Sequence, residues 1–195
     1  MKQEAIQVAV RCRPLNQREL QGQGDARGDD AALGTTCIEC KGNKVLIEDP
    51  KSGHKRKEFT FDKVFWSTSK DHPSYASQKD VFDDFGASLV DSALEGYNTC
   101  IFAYGQTGSG KSYSMVGSDT DEEHKGLLPR LLRKLFEKSS DSDSETVSST
   151  VDVSMIEIYN ERVYDLLNPH ILQNTKGRHH SQSLKVRIHP KTGGK

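Results

Sequence analysis

The chain has 195 residues, of which 27 are basic and 28 acidic, so its formal net charge is −1. This balance excludes a broadly basic surface for nucleic acid, and no apolar run approaches the about 20 residues that a membrane-spanning helix needs. The polar, charged first residues do not resemble a secretory signal, so we expect one domain, or part of one, in the cytoplasm with reduced cysteines.

The first predicted elements in chain order are strands. Residues 6–11 largely alternate apolar and polar side chains and are followed by Pro14, a pattern typical of a strand that ends in a turn. Residues 44–48 and 59–65 predict two more strands, because Gly, Asp or Pro bounds each of these short runs.

A helix and a buried strand are predicted next. Apolar residues from Ser77 onward recur on one helical face, and we expect this helix to end at Gly96. Residues 99–104, with the sequence TCIFAY, are β-branched and aromatic. Such a run predicts a strand that is buried on both faces of a sheet.

The second half of the chain predicts both helices and strands. A helical stripe begins near residues 126–129 and ends in the Ser- and Asp-rich stretch 139–144. Residues 151–158 predict a long strand, residues 160–167 a short helix and residues 184–188 a last strand. Strands that alternate with helices, with a few antiparallel ribbons, indicate an α/β domain with a mixed sheet and helices on both faces.

Four polar segments interrupt these elements and are expected to be inserts on the surface of the domain. They lie near residues 21–34, 118–125, 138–150 and 168–183.

One motif carries chemistry. Residues 105–112 fit the pattern G-x-x-x-x-G-K-[ST] directly after the predicted buried strand, where a phosphate-binding loop (P-loop) belongs. Its glycines let backbone N–H groups surround phosphate oxygens at the start of a helix. Lys111 is placed to reach the β- and γ-phosphates, and the Ser112 hydroxyl to ligate Mg²⁺. The candidate nucleotide-binding residues of the loop are Gly105, Gln106, Thr107, Gly108, Ser109, Gly110, Lys111 and Ser112.

Other binding chemistries find less support. A GTPase would need an Asn-Lys-x-Asp element, and Asn43-Lys44 lies before the loop and continues Val-Leu. A small P-loop phosphotransferase would need a lid with arginines after the loop, and the Ser/Asp-rich stretch 138–150 is unsuited to that. Cys37 and Cys40 form a C-x-x-C pair, but no second pair of cysteines or histidines has zinc spacing, so we expect no metal there.

Three separated segments, in the same order, resemble kinesin motor domains. Residues 101–115 (IFAYGQTGSGKSYSM) resemble the P-loop region of that family, and residues 10–16 (VRCRPLN) resemble its first-strand R-x-R-P element. Residues 157–168 (EIYNERVYDLLN) resemble its E-I-Y-N-E-x-V-x-D-L-L segment. Residues 75–78 (YASQ) and the Gly-Lys-Ser-Tyr of the P-loop are most similar to the kinesin-3 subfamily.

The resemblance implies a function and further site residues. Kinesins are microtubule-based motors that couple hydrolysis of ATP with Mg²⁺ to movement, so it implies microtubules as the partner and a place on the cytoskeleton. It also implies that Arg11, Arg13 and Pro14 line the adenine and ribose, and that Tyr113 stacks on the base. Arg162 matches a position where kinesins carry a basic residue facing tubulin, although a solvated surface charge explains it equally well.

Two kinesin elements are absent from these 195 residues, namely a switch I of the form N-x-x-S-S-R-S-H and a switch II of the form D-L-A-G-S-E. The resemblance therefore covers the N-terminal half of a motor domain, with dimerisation left to regions not present. We expect such a half to be inactive, poorly folded, and exposed along residues 101–104 and 151–158. The alternative is a truncated non-motor product that binds nucleotide or tubulin without turnover.

Overall fold

The computed structural model of the chain describes residues 6–21, 37–49, 55–140, 150–167, 184–185, 188–189 and 193–194. The chain folds as two compact units, Met1–Asp143 and Ser144–Lys195. Three of the four predicted polar inserts, near residues 21–34, 138–150 and 168–183, lie mostly outside the described residues. None of the helices in the described ranges has the length and apolar character needed to cross a membrane.

The strands of the first unit form two small sheets. Strand β1 (Ala9–Cys12) pairs in parallel with β5 (Lys63–Trp66), in the register Cys12 opposite Trp66. Strands β2 (Ile38–Lys41), β3 (Lys44–Asp49) and β4 (Lys55–Thr60) form an antiparallel sheet in that order.

The predicted strand at residues 59–65 is therefore wrong as one element. Its first residues belong to β4 and its last to β5, and Phe61 and Asp62 turn the chain between two different sheets. The Asp62 side chain accepts a hydrogen bond from the Val8 backbone N–H at 2.7 Å, which holds this turn against the start of β1. The sequence pattern also failed to predict strand β2.

The predicted helix after Ser77 is confirmed. It consists of α2 (Gln78–Val81), a π-helical turn (Phe82–Gly86) and α3 (Ala87–Leu94). Ser77 begins it with a capping box, in which its side chain accepts from the backbone of Asp80 and the Asp80 carboxylate accepts from the backbone of Ser77.

Three further helices lie in the described part of this unit. Helix α1 (Gln17–Gln21) follows β1, and α4 (Lys111–Met115) follows the P-loop as its motif predicts. Helix α5 (Leu127–Ser140) matches the predicted stripe that begins near residues 126–129.

The core of this unit lies between β5 and the helices. Its buried members are Phe65, Ala76, Val81 and Leu127, with Met115 and other partly buried apolar side chains packed against them. Because Met115 ends α4, Leu127 begins α5 and Phe65 lies in β5, the core ties both helices that follow the P-loop to the sheet before it. The P-loop is thus attached to a packed framework at its C-terminal side.

The predicted buried strand at residues 99–104 is wrong. These residues adopt no strand conformation, and the side chains of Phe102 and Tyr104 are 83% and 96% exposed. A strand needs neighbours that accept and donate its backbone hydrogen bonds, and no strand in the described part of the chain pairs with this segment. Its side chains suit a sheet interior, but the pairing that would bury them is missing.

The second unit contains a hairpin. Strand β6 (Ile156–Tyr159) pairs antiparallel with β7 (Arg162–Asp165) around Asn160 and Glu161, whose φ angles are 48° and 59°. Two consecutive left-handed residues are the conformation of a two-residue hairpin turn, and Asn tolerates it well. The predicted helix at residues 160–167 is therefore wrong, and the predicted strand at residues 151–158 holds only for its last three residues.

The remaining strands of this unit are short. Leu184 forms an isolated bridge with Val163, and β8 (Ile188–His189) pairs antiparallel with β9 (Gly193–Gly194). The predicted last strand at residues 184–188 is thus described only at its two ends. With parallel and antiparallel strands and several helices, the chain has the mixed α/β class that the sequence predicted.

Candidate functional site

The P-loop owes its path to three glycines. Gly105, Gly108 and Gly110 have φ angles of 153°, 81° and 94°, values that residues with a side chain rarely adopt. A Cβ atom at Gly105 would lie 2.5 Å from Ser109 Oγ, so the two ends of the loop approach closely there. A Cβ at Gly108 would meet nothing within 4 Å, so the loop is open on that side.

The charged and polar side chains of the loop differ in their surroundings. Lys111 Nζ donates to the backbone oxygens of Gly105 and Gln106, each at 2.8 Å, so its ammonium group lies against the loop itself. Among the described residues, the buried Ser109 hydroxyl has no hydrogen-bond partner, whereas Ser112 is exposed. The loop therefore holds one cation and one unsatisfied hydroxyl close to an open backbone surface.

Arg11 connects the P-loop helix to the first helix of the core. Its guanidinium donates to Ser67 Oγ at 3.0 Å, to Gln78 Oε1 at 2.6 Å and to Ser114 Oγ at 3.1 Å. Burial lowers the pKa of Arg11, while the nearby Tyr113 acts in the opposite direction. The three partners explain how a buried cation is tolerated. They also hold the Arg11 guanidinium between α4, which contains Ser114, and the residues Ser67 and Gln78.

Gln78 completes this network from the other side. Its side chain is 2% exposed, and its amide nitrogen donates to the backbone oxygens of Tyr113 at 2.7 Å and His124 at 3.2 Å. Its amide oxygen accepts from Arg11. One side chain thus forms hydrogen bonds with a backbone oxygen of α4, with a backbone oxygen of the loop after it and with the Arg11 guanidinium. Sequence analysis did not single out Gln78, although a polar residue on the apolar face of a predicted helix indicates such a buried hydrogen bond.

Tyr113 has a polar partner on the following loop. Its hydroxyl lies 2.9 Å from His124 Nδ1, and the Arg11 guanidinium carbon lies 5.5 Å from the centroid of its ring. The loop is closed tightly at Gly117, where a Cβ would lie 2.1 Å from the His124 backbone oxygen. His124 was another residue that sequence analysis missed, because the sequence shows only a polar insert at residues 118–125.

Arg13 lies beside the P-loop, with its Cδ atom 3.8 Å from the position that a Cβ of Gly110 would take. Its guanidinium makes a two-point ion pair with Glu19, at 2.8 and 2.7 Å. Glu19 also accepts from the Asn16 backbone N–H at 2.8 Å. The hydrogen bonds from Arg13 and from Asn16 lower the pKa of Glu19 to about 2. Pro14 is exposed, and its backbone oxygen accepts from Arg13.

The structure thus brings most of the sequence-predicted residues together. Arg13 lies against the P-loop, and Tyr113 projects from the helix that the loop begins. Arg11 lies in the same region, but its guanidinium is occupied by side chains of the protein. The residues that sequence analysis missed are those that hold these groups in place: Glu19, Ser67, Gln78, Ser114 and His124.

Comparison with known proteins gives a consistent result. The family model of the kinesin motor domain matches residues 11–194. The chain is 43% identical over 195 residues to the kinesin-like protein KIF1B of Homo sapiens, covering 99% of this chain and 10% of that protein. It is 39% identical over 189 residues to the kinesin-like protein unc-104 of Caenorhabditis elegans, covering 97% and 11%. These relatives are members of the kinesin-3 family, which confirms the predicted subfamily resemblance.

Solved structures agree with the sequence relatives. A KIF14 dimer in the two-heads-bound state, with AMP-PNP and in complex with a microtubule, is similar with a TM-score of 0.79 at 38% identity. KIF14 with ADP in complex with a microtubule gives a TM-score of 0.74 at 34% identity. Each similarity covers 97% of this chain and just under half of the other, 47% and 48% respectively. The chain spans about a tenth of the length of the two curated relatives described above.

Proposed function

The chain belongs to the kinesin motor domain family, and from that membership we propose that residues 105–113 bind ATP with Mg²⁺ as the nucleotide-binding part of a microtubule motor. The observation that carries this proposal is the position of the Lys111 ammonium group. It lies within hydrogen-bond distance of two backbone oxygens of a glycine-shaped loop that opens directly into helix α4.

The residues present fit a bound phosphate chain. The open side of the loop at Gly108 leaves room for an anion, and the buried Ser109 hydroxyl has an unused hydrogen-bond donor. Lys111 would exchange two neutral carbonyl partners for phosphate oxygens. Phosphate oxygens carry negative charge and carbonyl oxygens do not, so the attraction between opposite charges favours this exchange.

Mg²⁺ and the base would be held by neighbouring residues. The exposed Ser112 hydroxyl would hold Mg²⁺, which when bound neutralises charge on the β- and γ-phosphates. Tyr113 offers an aromatic face to the adenine, with Arg13 and Pro14 on the ribose side. Arg11 would act by fixing Tyr113 and α4, because its guanidinium already donates to three side chains.

The proposal assigns nucleotide binding to these residues, and hydrolysis with movement along microtubules to the motor as a whole. The switch I and switch II patterns of kinesins do not occur in these 195 residues. Support for the microtubule partner and the cytoskeletal location comes from the KIF14 structures, which are complexes with a microtubule. Microtubule-stimulated ATP hydrolysis by the native full-length protein tests this part.

The binding step is tested by titrating the chain with a fluorescent ATP analogue in the presence of Mg²⁺. Lys111→Ala should weaken binding at least about tenfold, because one charge-assisted contact is worth about 1.5 kcal/mol or more. Lys79→Ala is the matched control, since Lys79 is an exposed lysine on α2 that pairs with Asp83. Equal affinities of wild type and Lys111→Ala would refute the assignment. Tight binding by these residues, together with a native protein that has no switch I or switch II and does not hydrolyse ATP, would instead support the alternative of a truncated product without turnover.

A further inference from the structure

Two thiols from separate sheets meet in the first unit. Cys12 Sγ, at the end of β1, lies 3.5 Å from Cys40 Sγ in β2, and the two are close enough to hydrogen-bond. Strand β1 pairs with β5, whereas β2 belongs to the antiparallel sheet of β2, β3 and β4. A disulfide has a sulfur–sulfur distance of about 2.05 Å, so about 1.5 Å of side-chain movement separates this contact from a bond.

The sequence alone points to a different pair. Cys37 and Cys40 form the C-x-x-C pattern. Successive side chains of an extended chain point to opposite faces, so two residues that are three positions apart lie on opposite faces. Cys37 is accordingly exposed, while Cys40 is half-buried and faces Cys12. The fold thus gives Cys40 a partner that is 28 positions away in sequence and that no spacing rule would suggest.

The two thiols differ in accessibility. A cavity of about 390 Å³ is lined by Cys37, Cys40, Trp66 and His72, among other described residues, and Cys12 is not among them. Burial raises the pKa of the Cys12 thiol to about 12, with the hydrogen bond to Cys40 acting in the same direction. Burial also raises the pKa of Cys40, while its hydrogen bond to Cys12 lowers it. A small oxidant in the cavity therefore reaches Cys37 and Cys40 before it reaches Cys12, and of these two Cys40 has Cys12 beside it.

We propose that Cys12 and Cys40 are a site of reversible oxidative modification, at which hydrogen peroxide converts the two thiols to a disulfide. Cys40 loses its proton and the thiolate attacks one peroxide oxygen. The O–O bond breaks, Cys40 becomes a sulfenic acid, and the second oxygen leaves as hydroxide, which takes up the proton that Cys40 lost and becomes water. The Cys12 sulfur then attacks the Cys40 sulfur, the S–O bond breaks, and a second water leaves with the Cys12 proton. In total two thiols are oxidised and one peroxide is reduced to two waters.

The bond would have a mechanical consequence. It would join the β1–β5 pair covalently to the β2–β3–β4 sheet at the residue directly before Arg13. A covalent link across such a loop restricts the unfolded chain, so the oxidised form should melt about 5 °C or more above the reduced form. This inference does not depend on nucleotide binding.

The test is to treat the reduced full-length protein with hydrogen peroxide, block the remaining thiols, and map the disulfides by peptide mass spectrometry. Among the four cysteines of residues 1–195, we expect Cys12 and Cys40 to be lost together, with a cross-link between them that dithiothreitol reverses. A dominant Cys37–Cys40 bond, or oxidation without any intramolecular cross-link, would overturn the proposal.

Variants separate the two pairings. Cys37→Ser should leave the cross-link and the rise in melting temperature unchanged, because Cys37 is exposed and lies outside the pair. Cys12→Ser and Cys40→Ser should each abolish both effects. Since the mapping of the wild-type chain needs no substitution, a variant that fails to fold leaves the proposal testable.

Discussion

Residues 99–104 and the side chain of Gln78 are two neighbours of the P-loop region with opposite character. The segment is apolar and aromatic, yet Phe102 is 83% exposed, whereas the polar Gln78 is 2% exposed. Burial here follows the partners that the fold supplies and does not follow hydrophobicity. Gln78 has hydrogen-bond partners on Arg11, Tyr113 and His124, all distant in sequence.

A sequence whose composition suits a β-strand does not form one unless the fold supplies a partner strand. Residues 99–104 have the composition of a central strand, but a strand gains little unless a second one accepts its backbone hydrogen bonds. The segment before β6, which forms no strand, shows the same effect within the second unit, since Val153 is 63% exposed. The exposure that sequence analysis expected at residues 101–104 and 151–158 is confirmed for the side chains of Phe102, Tyr104, Val153 and Ile158.

The largest effect is expected in the core. Leu127→Ala should lower the free energy of unfolding by about 3 kcal/mol, because it leaves a cavity against Phe65 and Val81. Phe102→Ala removes a larger apolar side chain but should change that free energy by less than about 0.5 kcal/mol, since the ring is mostly in water. Urea unfolding curves measure both. A loss for Phe102→Ala as large as that for Leu127→Ala would show that the segment is packed in solution.

A smaller effect is expected from Gln78→Leu, which tests whether burial without hydrogen bonds is sufficient. Leucine fits the apolar face of α2, but it leaves the Arg11 guanidinium and two backbone oxygens short of a partner. We expect a loss of about 2 kcal/mol in the free energy of unfolding. Gln17→Leu, on the exposed face of α1, is the control and should be nearly neutral. Stabilisation by Gln78→Leu would mean that the network is dispensable.

The smallest effect is expected at an exposed ion pair. The pKa of Glu19 is about 2 in the folded chain, against an ordinary value of 4.5. Because the unfolded chain binds this proton first, the stabilisation is complete above about pH 4.5 and is lost as the pH falls towards about 2. Glu19→Gln should therefore flatten the pH dependence of the urea midpoint in this window.

A matched variant isolates that effect. The pKa of Glu122 is also about 2, lowered by hydrogen bonds from Arg133 and Lys125. The urea midpoint of the Glu19→Gln variant should therefore keep part of its pH dependence. Glu122→Gln should remove a separate part, and the double variant should remove both. Identical pH profiles for wild type and Glu19→Gln would contradict the low pKa of Glu19.

The sequence by itself determined the local features of this protein. The P-loop, the helix that follows Ser77 and the apolar stripe of α5 each depend on residues close together in the chain, so their spacing is sufficient to predict them. The family resemblance was visible for the same reason, since its motifs are short and contiguous.

Only the tertiary structure decided which distant residues meet. The contacts of Arg11 with Gln78 and of Cys12 with Cys40 join positions 67 and 28 residues apart, and no periodicity encodes them. The hairpin at Asn160 replaced a predicted helix because strand pairing overrode the local pattern. Long-range contacts depend on the path of the whole chain, whereas propensity and spacing describe only neighbours, so the partners of the P-loop could be found only in the fold.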